Sequence, residues 1–493
     1  MNATQKTTFI IIIIYMVATV AIGLFASARQ KKKSKSDNAN EDFLMAGKSL
    51  GPLVLAGTLF AANTGGASTT GIAANVYSYG ISAAWYVIAA GIGFVLVSFV
   101  ASYFRRSSAN TVPQIIGMRY GKPSHIITAI TSILALFMAT GAQIIATASI
   151  INVLTGVNFK IVAIITTIVV IAYTMIGGFA SVASANMMHV FFITVGMTIA
   201  LFIMVKSETI GGFTSLFDKA REVSLGSNGQ VDLISMTKIG FPTVLGYVAM
   251  YCMTFPTGQE IVQTFSSAKN GAAAKTGSII AGILSAVYAI VPALIGLIAY
   301  SYIDGYLENG VSKSALADAT IRFAPPVVAG IVLAAVVAAT ISSASGNMIG
   351  TATMFSNDIY KPYIAKNDTD PEEEVLVSKI VMILAGLFGL GVALLNSNII
   401  SVMMSAFALR SAGPFTAFVC GLFWKDVTQK AGFIAILSGT IVSALWIFIL
   451  NNPWGLSAIV PGAIVAFIVI FIVTKIDLAS GGKPAPLIEF NED

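Results

Sequence analysis

Apolar runs of about 20 residues recur along almost the whole chain and are separated by short polar segments. A run of about 20 apolar residues is what a helix needs to cross the hydrocarbon core of a bilayer. The pattern therefore predicts an all-α polytopic membrane protein with about 13 transmembrane helices. Their predicted bounds are 8–28, 50–76, 82–103, 124–154, 160–178, 185–206, 240–266, 273–302, 323–356, 375–395, 399–423, 431–451 and 455–475.

Two of these runs carry small and polar residues at their centres. The second contains Asn63, Thr64, Gly65 and Gly66, and the seventh contains the segment 254–260, with Pro256 and Gly258. A helix broken inside a membrane frees backbone groups, which is tolerated only where they line a cavity or bind something. The pattern therefore predicts two broken helices whose free backbone groups line a binding site.

The two breaks lie five spans apart, so their segments cross the membrane in opposite directions. Broken helices at corresponding positions of an inverted repeat are typical of secondary transporters, which bind ion and solute between them. The predicted organisation is an extra helix, two repeats of five spans, two C-terminal spans and a cytoplasmic tail. The corresponding ranges are 1–28, 50–206, 240–423, 431–475 and 476–493.

Basic residues predict the orientation. Most of the 28 Lys and Arg fall in loops on the same side as the cluster 29–35 that follows the first span. Such loops stay in the cytoplasm. We expect a plasma (cytoplasmic) membrane protein with its N-terminus outside and its C-terminus inside. Residues 26–28 resemble a signal-peptidase site, but the basic cluster behind them favours a retained first helix.

Composition narrows the function. Only 10% of the residues are charged and the mean hydropathy is +0.85, against about 25% charged residues in soluble domains. No polar tract is long enough for a kinase, nucleotide-binding or DNA-binding module, which disfavours a membrane sensor. The chain has only two His and no P-loop spacing, which disfavours an enzyme and a cofactor. Both of its Cys lie in apolar runs, which disfavours a disulfide. The expected partners are a small solute, an ion and membrane lipids, with no nucleic acid and no obligate protein partner.

Several segments resemble motifs of the sodium:solute symporter family, in order along nearly the whole chain. The resemblance implies the LeuT-type fold and sodium entry coupled to uptake of a small organic solute by alternating access. The segments are EDFLMAGKSLG (41–51), TVPQIIGMRYG (111–121), YTMIGG (173–178), GQEIVQTFSSAK (258–269) and GLFWK (421–425).

The resemblance also implies a sodium site. Ala339, Ser342 and Ser343 share one helix face by their i, i+3, i+4 spacing, and hard cations prefer oxygen ligands. The implied ligands are the carbonyls of Ala61, Thr64 and Ala339 and the hydroxyls of Ser342 and Ser343. The alternative is that the serines bond to their own helix.

A second sodium site in some members uses an Asp where this chain has Asn186. An Asn keeps a carbonyl oxygen but lacks the negative charge that favours a desolvated cation. We therefore expect one sodium per cycle. The alternative role of Asn186 is a hydrogen bond between helices.

The solute is expected between the two breaks. Candidates are Asn63, Gly65, Gly66 and Ser68 in the second span, Thr254, Phe255 and Gln259 in the seventh, and Trp85, Tyr86 and Gln143 in flanking helices. Amides freed at a break suit an anionic group. Phe255 and Trp85 could instead serve packing or anchoring, and Gln143 could bond to a neighbouring helix.

Arg410 lies inside the eleventh span, where an arginine is costly and points to function. Its planar fork suits a carboxylate. Alternatively, Arg410 forms a gate or a structural pair, or its side chain snorkels to the cytoplasm. Glu260 is expected to pair with an intracellular basic residue. The predicted solute bears a carboxylate, as a monocarboxylate, an amino acid or a pantothenate-like acid. A proton-coupled symporter of the same fold, or a symporter of a sugar or other neutral solute, remains the alternative.

Overall fold

The structure is a computed structural model that describes residues 3–33, 50–106, 109, 111–226, 232–306, 308, 310, 312–366, 371–396 and 398–488. The side chains of residues 3, 22–33, 176–187, 371 and 454 lie outside this description. The predictions that involve residues 34–49 and 489–493 and the side chain of Asn186 therefore also lie outside it.

The described part of the chain is helical, and its two isolated β-bridges join Leu50 to Ala268 and Thr428 to Pro484. The α-helices of the first half are α1 (Ala3–Lys33), α2 (Pro52–Asn63), α3 (Ile72–Tyr79), α4 (Trp85–Val97), α5 (Ala101–Arg106), α6 (Val112–Tyr120), α7 (Lys122–Thr155), α8 (Phe159–Phe191), α9 (Met197–Val205) and α10 (Phe213–Gly226).

The second half is also helical. Its α-helices are α11 (Phe241–Thr254), α12 (Gln259–Ser266), α13 (Gly271–Tyr288), α14 (Ile290–Tyr302), α15 (Ala315–Phe323), α16 (Pro326–Met354), α17 (Pro371–Leu395), α18 (Ile399–Phe423), α19 (Gln429–Phe448) and α20 (Ile459–Ala479). Short π-helical segments are Ala67–Gly71, Phe192–Gly196 and Phe355–Ile364, and short 3₁₀ segments are Gly80–Ala84 and Pro453–Gly455.

Both predicted helix breaks are confirmed. Helix α2 ends at Asn63, the backbone leaves helical geometry at Thr64 (φ −94°, ψ 68°), and helix resumes in the π-helical segment Ala67–Gly71. Helix α11 ends at Thr254, and α12 begins at Gln259 after an extended Gly258 (φ −88°, ψ 118°).

In the described backbone no helix end marks the predicted division between the fifth and sixth spans. Residues 179–184, expected to lie between them, are helical within α8, which continues through Phe192–Gly196 into α9. This stretch consists of Phe, Val, Ala and Ser without Pro or Gly, so nothing local ends the helix. In the described residues ten helices are long and apolar enough to cross a membrane, and three apolar helices are shorter. The exact number of crossings stays a prediction.

The extra N-terminal helix packs along α8 and α16. The Thr8 hydroxyl bonds to the Pro326 carbonyl at 3.4 Å, and a Cβ at Gly330 would lie 2.6 Å from Ile11 Cδ1. Tyr15 reaches further in, with its hydroxyl 3.2 Å from His189 Nδ1. Helix α1 is therefore joined to the same two helices that border the candidate ion site.

Small residues allow helices to approach closely where the two halves meet. A Cβ on Gly91 of α4 would lie 2.6 Å from the Gly282 carbonyl oxygen of α13, and the reverse distance is also 2.6 Å. Such contacts replace hydrophobic burial as the basis of helix packing in lipid.

One end of the molecule is fastened by buried polar groups. Arg119 of α6 is fully buried and donates to the carbonyl oxygens of Ala485, Pro486, Trp424 and Lys425, at 2.5, 2.6, 2.9 and 3.1 Å. Burial lowers the pKa of this guanidinium, yet arginine stays protonated in proteins, so the four carbonyls offset its buried charge.

The other end of α6 is fixed by Asp358, whose side chain is fully buried. Its Oδ1 accepts a hydrogen bond from the Thr111 hydroxyl at 2.8 Å and lies 3.1 Å from His125 Nε2. Asp358 belongs to the π-helical segment that extends α16. Helix α6 is thus joined both to the helix that carries Ser342 and Ser343 and, through Arg119, to the C-terminal segment.

Candidate functional site

A cavity of about 110 Å³ lies between the two breaks. Helices α2, α7, α12, α16 and α18 contribute to its wall. Eight of the predicted solute residues line it: Asn63, Gly65, Ser68, Tyr86, Gln143, Phe255, Gln259 and Arg410. The space is several times the roughly 10–15 Å³ that one water molecule needs, so it suits a small solute.

Three predicted solute residues lie outside the lining of this cavity. Trp85 donates its indole N–H to the Met236 carbonyl at 3.3 Å, at the loop before α11. The Thr254 hydroxyl is buried against the Ser411 hydroxyl at 3.1 Å. Gly66 faces α7. Residue type alone cannot distinguish these positions from their neighbours. Adjacent residues of a helix point in different directions, so one can line the cavity while the next packs against another helix.

The Gly65–Gly66 pair is required by the close approach of α7. A Cβ on Gly65 would lie 2.7 Å from Gln143 Oε1, and one on Gly66 would lie 2.2 Å from Ala146 Cβ. The Gly66 amide donates to Gln143 Oε1 at 2.7 Å. The Gly66 amide expected to be free for an anion is therefore already paired, and Gln143 serves the break directly.

Arg410 and Glu260 form an ion pair in the cavity wall. The Glu260 carboxylate accepts from Nη2 of Arg410 at 2.7 Å and from Nη1 at 3.2 Å. Arg410 is 2% exposed, and its guanidinium carbon lies 4.8 Å from the centre of the Phe407 ring. Glu260 was expected to pair with an intracellular basic residue. It pairs with Arg410 in the cavity wall instead.

Gly258 at the second break lies against this ion pair, where a side chain would not fit. A Cβ on Gly258 would lie 2.8 Å from Arg410 Nη2 and 3.0 Å from Glu260 Oε1. The next residue, Gln259, accepts a hydrogen bond from the Val112 amide at 3.3 Å. The second break is thereby joined to α18 on one side and to the start of α6 on the other.

A second, much smaller cavity of about 10 Å³ adjoins the first. It is lined by Ala61, Thr64 and Ala339, together with His189, Val190 and Ile193. Ala61 lines both cavities. Three of the five predicted sodium residues thus surround a space for one small particle, next to the larger cavity.

The remaining predicted sodium residues, Ser342 and Ser343, line the larger cavity. They follow Ala339 on the same face of α16. The Thr64 amide donates to the carbonyls of Phe60 at 2.9 Å and Ala61 at 3.2 Å, which completes the end of α2. Residues of α2 and α16 therefore line both cavities.

Aromatic rings in edge and tilted contact lie on one side of the main cavity. Tyr86 lines it, whereas Tyr247, whose ring centre is 5.3 Å away, lines a separate cavity of about 190 Å³. Tyr251 fills the space between, with ring centres 5.5 Å from Tyr86 and 5.2 Å from Phe255. These four rings form an aromatic layer between the main cavity and this separate one. The cavity also reaches the partly exposed residues Thr58, Gln263 and Gly350.

Comparison with known families decides the identity. The model of the sodium:solute symporter family matches residues 43–439. The chain belongs to this family. It is a multi-pass membrane transporter rather than an enzyme, and its function is sodium-coupled uptake of a solute.

Relatives in this family differ in their solutes. The chain is 26% identical over 457 residues to a sodium/glucose cotransporter of Vibrio parahaemolyticus, covering 86% of this chain and 82% of the relative. It is 24% identical over 507 residues to a sodium/proline symporter of Staphylococcus aureus, covering 98% and 94%.

Comparison with solved structures establishes the architecture. The structure is similar to that of a Na⁺-coupled sialic acid symporter in a substrate-bound outward-open state, with a TM-score of 0.77 at 19% identity, covering 97% of this chain and 99% of that one. The architecture is the LeuT-type fold.

Two lining residues with titratable side chains were not among the sequence candidates for binding. Glu260 lines the main cavity and His189 the small one. Glu260 carried a usable signal, because it is a charged residue within an apolar run. His189 carried none, because its role depends on the rotation of α8 against α2 and α16.

Proposed function

We propose that this symporter carries a small carboxylate-bearing solute inward with sodium. The observation that carries the proposal is the adjacency of the two cavities, which share Ala61. Sodium is assigned to the oxygens of Ala61, Thr64, Ala339, Ser342 and Ser343. The solute is assigned to the main cavity, with its carboxylate toward Arg410 and the amide of Asn63. No protein partner or cofactor enters this scheme.

Sodium at this position would act on the first break. A cation held by α2 and α16 together fixes the backbone at Thr64, and the same backbone forms part of the solute cavity through Asn63 and Gly65. Binding of the ion therefore lowers the cost of ordering the solute site, and binding of the solute does the same for the ion.

The driving force is sufficient for concentration of a solute. One sodium ion that moves down a potential of 100 mV releases about 2.3 kcal/mol. Each tenfold sodium gradient adds about 1.4 kcal/mol.

With the predicted orientation, the aromatic layer closes the outer side and the cavity faces the cytoplasm, as in the inward-facing half of an alternating-access cycle.

Uptake into proteoliposomes tests the proposal. Radiolabelled carboxylates, amino acids and sugars are offered with and without an inward sodium gradient to the wild type and to Ser343→Ala. We expect sodium-dependent uptake of a carboxylate-bearing solute. In Ser343→Ala, half-maximal uptake should require at least tenfold more sodium, because one ligand is lost.

Ser438→Ala is the matched control, because the Ser438 hydroxyl bonds to its own helix at Ala435, outside both cavities. Uptake that ignores sodium and the Ser343 change would contradict the ion site. If such uptake followed a proton gradient, it would support the proton-coupled alternative. Sodium-dependent uptake of a sugar alone would support the neutral-solute alternative.

A further inference from the structure

The charges in the wall of the main cavity sum to zero. Among the residues that line it, Arg410 and Glu260 carry charge, and they are paired at 2.7 Å. A solute with a single negative charge would meet Glu260 as well as Arg410. A solute with a single positive charge would meet Arg410. The wall is complementary to a solute that carries both charges.

We propose that the Arg410–Glu260 pair selects a small zwitterion, with the solute carboxylate on Arg410 and its ammonium on Glu260. This inference rests on the proposed function and narrows its solute class. It excludes monocarboxylates and pantothenate-like anions, which lack the ammonium, and it excludes sugars, which lack both charges.

Both members of the pair have capacity for such a solute. Arg410 has five N–H donors, and Nη1 and Nη2 each make one bond to Glu260. Its Nε is buried without a hydrogen-bond partner among the described residues. Glu260 is 30% exposed, and an ionised carboxylate has about four acceptor sites. A zwitterion can therefore bind alongside the pair without breaking it.

A further donor lies in the same wall. The Asn63 Nδ2 group is buried and has no hydrogen-bond partner in the described part of the chain. Buried polar groups of this kind are normally satisfied, so an unsatisfied amide that lines a cavity points to a bound acceptor. Asn63 and Arg410 together provide donors from both halves of the site for one carboxylate.

The aromatic surroundings strengthen the discrimination. The Phe407 ring lies against the guanidinium, and Phe255 and Tyr86 line the cavity beside it. Against these rings a solute charge loses part of its hydration, and an uncompensated charge is then costly. A zwitterion of matching polarity brings no uncompensated charge, so discrimination against its singly charged analogues should be large.

The test compares matched solutes in the sodium-driven proteoliposome assay. Each labelled α-amino acid of a panel is offered beside its des-amino carboxylic acid and its decarboxylated amine. We expect sodium-dependent uptake of at least one amino acid, at least tenfold faster than of either analogue. Glu260→Gln should reduce that uptake at least tenfold and should narrow the preference over the carboxylic acid, because Arg410 is released.

Two variants separate recognition from folding. Glu260→Asp keeps the charge and should recover part of the preference, while all variants are checked for a monodisperse profile in detergent. Glu374→Gln is the matched control, because Glu374 pairs with Lys361 at 2.9 Å outside the cavity and should leave the preference unchanged.

The outcomes distinguish this inference from the proposed function. Sodium-driven uptake of a monocarboxylate or a sugar that no amino acid competes with would overturn the inference and leave sodium symport intact. An unchanged preference in a folded Glu260→Gln protein would also overturn it. Absence of any sodium-driven uptake would overturn both.

Discussion

Gly66 and Gln143 show how single residues hold the first break open. The break exists because α7 approaches so closely that only glycine fits, and because Gln143 supplies the acceptor that the Gly66 amide has lost from its own helix. The polar residue in α7 and the glycines in the second span are therefore parts of one arrangement. A change in either should act on the same structure.

Gly66→Ala should destabilise the protein by about 1–3 kcal/mol, the usual cost of overpacking, and should abolish uptake. The cause is the added methyl group, which would lie 2.2 Å from Ala146 Cβ. The measurements are the apparent melting temperature in detergent and sodium-driven uptake. Gly391→Ala is the control, since a Cβ there meets nothing within 4 Å. Equal behaviour of the two variants would refute the close contact.

For single residues, the sequence shows which side chains are functional candidates better than it shows which side chains contact one another. Arg410 and the glycines could be found because an intramembrane charge and a Gly-Gly pair in an apolar run are local anomalies. The partner of Arg410 could not, because Glu260 is 150 residues away. Which side chains meet depends on the rotation of α12 against α18, and no local pattern encodes that rotation.

Helix α6 connects elements that are far apart in sequence. Its N-terminal end bonds to Gln259 at the second break and, through Thr111, to Asp358 beyond α16. Helix α16 carries Ser342 and Ser343. A movement of α6 is therefore coupled mechanically to both the ion and the solute sides of the site.

Asp358→Asn should weaken this connection by about 1–3 kcal/mol, the cost of leaving a buried group poorly paired. The amide keeps one acceptor but loses the charge that faces His125 Nε2 at 3.1 Å. The apparent melting temperature should fall. Asp218→Asn, which removes an exposed ion pair, should leave it unchanged. No difference between these variants would show that Asp358 is not a structural link.

The elements themselves were predictable to different degrees. The two breaks could be placed because Pro, Gly and polar residues interrupt strong apolar runs. The continuity of α8 through 179–184 could not, because a short stretch of Ala and Ser reads equally well as a connection or as helix. Helix α6 was visible only through the motif resemblance, since its nine residues are too short for a periodic signal.

On the scale of the whole molecule, Arg119 fastens the C-terminal segment to α6. Ala485 also donates its amide to the Val427 carbonyl at 2.7 Å, which places the segment beside the connection between α18 and α19. The last described residues are thus part of the folded protein rather than a solvated extension. This contact could not be predicted from the sequence, because it joins a side chain to backbone carbonyls that are distant along the chain.

Arg119→Lys should cost about 3 kcal/mol, because an ammonium cannot reach four carbonyls as a planar fork can. We expect a lower apparent melting temperature and faster digestion of the C-terminal segment by carboxypeptidase, followed by mass spectrometry. Arg221→Lys, on an exposed helix surface, is the control. If the segment stays protected in Arg119→Lys, other contacts hold it.

The Arg119 contacts also set an order of events during biosynthesis. The residue that accepts its bond at Pro486 lies 367 positions later in the chain. At roughly 5–20 residues per second, the ribosome needs on the order of 20–70 s to supply it. Until then the α6 guanidinium lacks two of its four acceptors. The end of the molecule around Arg119 is therefore completed late, after the described helices α1 to α20 have been synthesised.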